Sequence, residues 1–266
     1  MKRGVFFSRI SDKVKTGRLF LLWLLCLPLA LSSCGGTVRE ERRIPILMYH
    51  DFSEDTPGDY TITAGQFEKH LQTIRDCGYT SVTFGDVLGF VFEGQELPEK
   101  CVLLTTDDGY SSVLEIAVPL CERYSMRLSC AVMGAAAGNA THFAVESGSI
   151  PPSLELTSHT YDLHRDGVLH GDEGDALREK LRADTKCMTE AFGALAPMTR
   201  EVLVYPSGIY SAESDAVYRE LGYRITVSVD YGCAVIRQGD ADGLFHLPRY
   251  AVGEGTSLDT LKSILK

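Results

Sequence analysis

The sequence predicts an α/β domain built on a parallel sheet, and three observations carry that prediction. From Arg43 onward, short runs of apolar and β-branched residues alternate with amphipathic runs of helical period, the pattern of repeated β/α units. One of these runs, Val102 to Thr105, is continuous rather than alternating, as a strand buried on both faces is. Polar and titratable residues fall at or just beyond the C-terminal ends of the strands, the edge that carries the active site in β/α barrels. A barrel and an open doubly wound sheet both satisfy this pattern.

The elements follow in order. Ile44 to Tyr49 reads as the first strand, ending at His50-Asp51. Thr63 opens a helix with Gln66 in capping-box spacing, Phe67, Leu71 and Ile74 on one face, and Gly78 as its stop. Ser81 to Thr83 is a short strand, Gly85 to Phe92 a short helix, and Lys100 to Thr106 the strand that runs into Asp107-Asp108-Gly109. Ser111 or Ser112 caps a helix to Tyr124, and Leu128 to Met133 is the next strand. After the small-residue loop from Gly134 to Asn139, Leu154 to Thr157 forms a strand ending at Ser158-His159. Asp175 to Phe192 is a long amphipathic helix, and Val202 to Tyr205 a strand ending at Pro206-Ser207-Gly208. A helix from Glu213 to Leu221, a strand from Tyr223 to Val229, a sheet extension at Phe245 to Leu247 and a closing helix up to Leu265 complete the chain.

Composition fits one globular domain: 44% of the 266 residues are hydrophobic and 23% charged, enough to bury a substantial core. The first 33 residues look removable. Six basic residues between Lys2 and Arg18 precede an apolar run from Leu19 to Leu31 and then Ser32-Ser33-Cys34-Gly35, the layout of a secretory signal, with a run short for a membrane span. Their loss takes away six positive charges and the negative Asp12, so the −10 of the whole chain becomes about −15. Such a charge repels nucleic acid and anionic polymers and suits neutral sugars, or polymers that become cationic as they react. Cys77, Cys101, Cys121, Cys130, Cys187 and Cys233 form no CxxC pair and read as mostly reduced, buried thiols.

Asp107 and Asp108 are the centre of the chemical reading. Consecutive strand residues point to opposite faces, but at a strand end followed by Gly109 the backbone can turn and let both carboxylates serve one cavity, a metal ligand beside a base. Taken alone, the pair also fits a helix cap and a solvated turn. His159 and His164 lie five apart in a loop, a spacing that needs a turn to bring them together. With Asp108 they make three protein ligands that leave a position open for water or substrate. No GxSxG elbow is present, so no serine nucleophile of that kind is expected.

Two resemblances attach to these residues. Leu31-Ser32-Ser33-Cys34 resembles the lipobox of bacterial lipoproteins, which implies that residues 1–33 are a signal peptide, that Cys34 is lipidated, and that residues 34–43 tether a domain of residues 44–266 to the outer side of the cell membrane. Thr105-Thr106-Asp107-Asp108-Gly109 resembles the TFDDG motif of the polysaccharide deacetylases (NodB homology, carbohydrate esterase family 4), and Ser158-His159-Thr160-Tyr161-Asp162-Leu163-His164 their histidine motif. Leu47-Met48-Tyr49-His50-Asp51 near the start of the domain is similar to the poly-N-acetylglucosamine deacetylase branch.

The second resemblance implies a distorted (β/α)7 barrel. It also implies Asp107 as general base, His50 as general acid, and Asp108, His159 and His164 as ligands of a divalent metal, commonly zinc, with cobalt, nickel or manganese as alternatives. The backbone at Pro206-Ser207-Gly208 would contribute to the oxyanion site, and the partner would be an acetylated amino-sugar polymer, with no protein partner inferred. Two positions depart from the pattern. Thr106 replaces the usual aromatic residue and is expected to reshape the pocket floor, and Ser207 replaces the tyrosine of a PYG turn. The arginine that some relatives place before that proline is Val204 here, and Arg249 is expected to orient Asp107 in its stead. O-deacetylation and non-catalytic sugar binding are the alternative functions. His70, His142, His170 and His246 read as structural or exposed.

Overall fold

Pro45 splits the first apolar run in two, and the sheet begins on either side of it. The computed structural model describes residues 39–135, 150–165, 168 and 171–266, so Cys34, His142, His170 and the signal lie outside the described residues. The strands are β1 (Glu41–Ile44), β2 (Ile46–Tyr49), β3 (Asp51–Ser53), β4 (Thr61–Thr63), β5 (Thr80–Val82), β6 (Cys101–Thr106), β7 (Leu128–Val132), β8 (Leu154–Ser158), β9 (Val202–Val204), β10 (Ile225–Tyr231), β11 (Ala234–Arg237) and β12 (Leu247–Ala251). The α-helices are α1 (Ala64–Asp76), α2 (Phe84–Glu93), α3 (Val118–Arg123), α4 (Gly174–Phe192), α5 (Ala212–Glu220) and α6 (Leu258–Ile264).

Strands β2, β12, β10, β9, β8, β7 and β6 pair in that order, all in parallel, and β6 pairs back onto β2. The sheet is therefore a closed seven-stranded barrel, which decides between the two architectures the alternation allowed. Its wall is uneven. β7 and β8 are in register from Leu128↔Leu154 to Val132↔Ser158, whereas β8 meets β9 only at Ser158↔Leu203.

Side-chain alternation divides the core into layers. Ile46, Leu103, Ala131, Val204, Val227 and Leu247, drawn from strands all round the wall, pack together as the barrel interior. Leu47, Leu104, Cys130 and Leu156 belong to an outer cluster with Phe67 and Leu71 of α1, Met188 and Phe192 of α4 and Leu261 of α6. Leu203 and Tyr205 face Leu177 and Leu181 of α4 and Val217 and Tyr218 of α5.

Several local expectations change. Glu41 to Arg43, within the stretch read as tether, fall in β1, which pairs antiparallel with β11. Thr63 accepts the Gln66 N–H at 3.3 Å, but the Gln66 amide bonds Thr256 O instead of closing a capping box. Complete boxes are at Thr83 with Asp86 and at Ser211 with Ser214. Ser112 makes no cap: its hydroxyl accepts from Phe52 N and donates to Asp51 Oδ1 at 2.6 Å, and a π-helical turn over Val113–Ala117 precedes α3. The last sheet segment is longer and later than Phe245 to Leu247, and it closes the barrel. All six cysteines of the domain are free. Burial pushes the Cys101 thiol up to about 11 and the Cys121 thiol to about 12, so both stay protonated at neutral pH.

Candidate active site

Strand β6 delivers both carboxylates to one place by a backbone turn. Asp107 continues the inward series of Leu103 and Thr105, and Asp108 would point outward if the strand went on. Instead Asp108 takes φ 72° and Gly109 φ 74°, so the chain reverses and the second carboxylate returns to the cavity. The sequence assigned this turn to glycine. The structure makes Asp108 share it, and aspartate tolerates the left-handed region better than most residues.

Asp107 is buried and gripped by Arg249, whose two terminal nitrogens each donate to one carboxylate oxygen at 2.8 Å. The guanidinium is 1% exposed; its Nε donates to Ser228 O at 2.9 Å. Arg249 reaches Asp107 from inside β12, as a side chain of the barrel interior that crosses to β6, and not from beyond a strand end. Burial pushes the Asp107 carboxyl up. The charge and hydrogen bonds of Arg249, with His159 and His50 nearby, outweigh it and bring the carboxyl down to about 2.

His159 follows β8 directly and His164 returns by the expected turn. Thr160 at φ 70° starts it, the Thr160 hydroxyl accepts Leu163 N at 3.1 Å, and the buried Asp184 of α4 accepts the N–H groups of Tyr161 at 2.9 Å and Asp162 at 2.8 Å. His159 Nδ1–H donates to Val204 O at 2.8 Å, which leaves Nε2 as the lone-pair nitrogen facing the cavity. Burial lowers the His159 pKa against the pull of Asp107 and Asp108, which favours the neutral ring that a ligand requires. Asp108 Oδ1 lies 3.5 Å from His159 Nε2 and 3.1 Å from His164 Nε2, and the three ligand atoms fall within 4.8 Å of one another. Two imidazole nitrogens and a carboxylate oxygen converging at that spacing fit a divalent cation with an open coordination position.

The remaining site residues border the same space. His50 sits where β2 gives way to β3, its ring 5.2 Å from that of the exposed Tyr60. His50, Asp107, Asp108, His159, His164 and Ser207 line one cavity of about 490 Å³. The turn Pro206–Gly208 holds Ser207 at φ 54° and Gly208 at φ 67°. Proline has no N–H and Gly208 N donates to Tyr205 O at 2.9 Å, so the Ser207 N–H is the backbone donor of this turn that has no acceptor among the described residues. A Cβ at Gly208 would fall 2.3 Å from Val229 Cγ2, which fixes that position as glycine. Thr106 differs from expectation. It is fully buried on the helix-facing side of β6 with Leu104, away from the cavity, so it does not shape the pocket floor.

The sequence reading passed over Asp184, Tyr60 and Tyr110, the last a cavity-lining ring whose hydroxyl bonds Asp108. Asp184 carried a usable signal, a carboxylate on the same helical stripe as Leu177, Leu181 and Met188. Of the histidines read as structural or exposed, His70 is buried against Tyr49, and His246 pairs with Asp215 and stacks on Tyr210.

Comparison with known proteins follows the same lines. Residues 94–226 match the polysaccharide deacetylase family, a stretch that holds Asp107, Asp108, His159, His164 and the 206–208 turn but neither His50 nor Arg249. YxkH of Bacillus subtilis (strain 168) is 25% identical over 81% of this chain and 73% of its own length. The poly-beta-1,6-N-acetyl-D-glucosamine N-deacetylase of Escherichia coli (strain K12) is 24% identical over 74% of this chain, which spans 34% of that protein. The Streptococcus pyogenes deacetylase PplD, solved in complex with acetate, shares the fold with a TM-score of 0.68 at 22% identity, over 85% of this chain and 100% of that one.

Proposed function

The chain belongs to the polysaccharide deacetylase family, and from that premise we propose that it is a metal-dependent N-deacetylase of an N-acetylglucosamine polymer outside the cytoplasm. The observation that carries this reading is the single cavity shared by a buried, Arg249-held carboxylate, a three-donor ligand set and a histidine. The likeness to an enzyme whose name specifies poly-N-acetylglucosamine supports the choice of polymer. A domain near −15 suits a neutral polymer whose product amines are cationic.

Asp108, His159 and His164 would hold the metal, zinc being the ion best matched to two imidazoles and a carboxylate. Bound there, a divalent cation supplies Lewis-acid polarisation of an acyl oxygen and acidifies water. Asp107 stays ionised because of Arg249, and each of its oxygens keeps a second lone pair with which to accept the proton of the attacking water. The Ser207 N–H donates to the acyl oxygen as negative charge develops on it, a role the side chain at that position does not affect. His50 donates the proton that lets the sugar nitrogen depart. An amide nitrogen leaves poorly unless protonated, whereas an ester oxygen needs this less, so a histidine acid favours N-acetyl over O-acetyl substrates.

The test is acetate release by the zinc- or cobalt-loaded protein lacking residues 1–34, given N-acetylglucosamine oligomers and, separately, O-acetylated xylan oligomers. Release from the first and little from the second is expected. The reverse would assign an esterase, and binding without release from either would assign a sugar-binding protein. Asp107→Asn is expected to lower kcat by roughly 10²–10⁴-fold with metal content retained. Loss of metal in that variant would mean the two carboxylates have exchanged roles.

The lipobox supports a lipid anchor on Cys34. Metabolic labelling with palmitate should mark the wild-type protein and not Cys34→Ser; labelling of neither would reject the anchor, and labelling of both would reject Cys34 as its site.

A further inference from the structure

Thr106 lies one residue before the proposed base and is bonded to the proposed acid. Strands β2 and β6 run in parallel register from Ile46↔Leu103 to Tyr49↔Thr106, and Asp107 N–H donates to Tyr49 O at 3.1 Å. The chain then leaves the sheet at His50. The His50 carbonyl accepts the Thr106 hydroxyl at 2.6 Å. Thr106 is 0% exposed, so water does not compete for that bond, and its β-branched side chain has little rotamer freedom with which to escape it. The neighbours of His50 are tethered too: the Tyr49 hydroxyl to His70 Nδ1 at 3.0 Å, and the Asp51 carboxylate by Ser112 at 2.6 Å and Thr61 at 3.0 Å.

We propose that Thr106 is a positioning residue for His50, its hydroxyl fixing where the imidazole enters the cavity relative to Asp107. The inference rests on the reading that His50 supplies the departing proton. Thr106 and Asp107 are adjacent on one strand, so the bond ties the backbone of the acid to the backbone of the base. An ångström of slippage between reacting groups costs on the order of 10²-fold in rate. The aromatic residue of the TFDDG pattern has no hydroxyl to make this bond. The departure at Thr106 is therefore a gain of a donor and leaves the cavity lining untouched.

The test compares Thr106→Val, nearly isosteric but without the donor, with Thr106→Ser, which keeps it. Thr106→Ala serves in place of the valine variant if that protein does not fold. With the N-acetyl oligomer, Thr106→Val is expected to lower kcat about tenfold or more, with KM and metal content within about twofold of wild type, and Thr106→Ser to recover most of the loss. The His50 ring signals in ¹⁵N-histidine NMR spectra are expected to shift or broaden in Thr106→Val and return in Thr106→Ser. Unchanged kcat in Thr106→Val, or an equal loss in Thr106→Ser, overturns the proposal. If wild type releases no acetate from any substrate, the functional reading fails, and the NMR comparison alone decides Thr106: signals unmoved in the valine variant overturn it, and signals moved there and restored in the serine variant uphold it.

Discussion

The Asp107–Arg249 pair is a bidentate ion pair almost wholly removed from water, with side-chain exposures of 5% and 0%. Pairs of this kind cost a great deal to break on one side only, because the surviving charge stays buried. Arg249→Met is therefore expected to destabilise the fold by about 3–5 kcal/mol in urea unfolding and to depress acetate release. Arg249→Lys keeps the charge without the fork and should fall between. A methionine variant within about 1 kcal/mol of wild type would show that the pair is dispensable for folding. Residues differ in how far the sequence revealed them. The aspartates and the two histidines were legible because each sits in an ordered motif at a strand end. The Arg249 contact was legible only as one option, because the arginine lies 142 positions from Asp107 and the closed barrel alone brings them together. The backbone of the Pro206–Gly208 turn was legible as an oxyanion element, but not that its available donor is the Ser207 N–H, because that depends on backbone angles that composition does not set.

At the scale of elements, periodicity found what was long and missed what was short. Helix α4 and strand β6 carried enough apolar residues to show their period, while β3 and β4, of three residues each, carry one apiece, Phe52 and Ile62, too few to show one. Yet β3 and β4 frame the loop that presents Tyr60 beside His50. The histidine loop shows a second limit. Its two imidazoles converge because a carboxylate from a separate helix accepts consecutive N–H groups at its turn, and no pattern local to residues 159–164 encodes that helper. Ser112 shows the opposite error, a residue whose cap chemistry was plausible locally and which tertiary structure recruited for Asp51 instead.

For the molecule as a whole, β/α alternation specified parallel strands and left closure undecided, since closure depends on β2 meeting β6 and β12. His70 makes the stability of that closed fold sensitive to acid. Its Nδ1 accepts from the Tyr49 hydroxyl and its Nε2–H donates to Thr256 O at 3.1 Å, a neutral ring between α1, β2 and the segment before α6. Burial, more than the opposing bond from Thr256 and the charge of Glu254, lowers its pKa below 6.5. The unfolded chain therefore binds a proton before the folded one does, so this contribution to stability is complete above pH 6.5 and is lost as pH falls through the lowered folded value. Urea unfolding at pH 7.5 and 5.0 should show a decline in wild type that is smaller in His70→Gln. Equal declines would rule His70 out as the source.

The thin junction between β8 and β9 has its own consequence. The imidazole of His159 crosses it, fastening the wall at Val204 through one nitrogen while offering the other to the cavity. One ring is thus both rivet and socket. A cation held there would draw on both bonds of the ring, and by the reciprocity of linked equilibria its binding and the firmness of the β8–β9 junction would support each other.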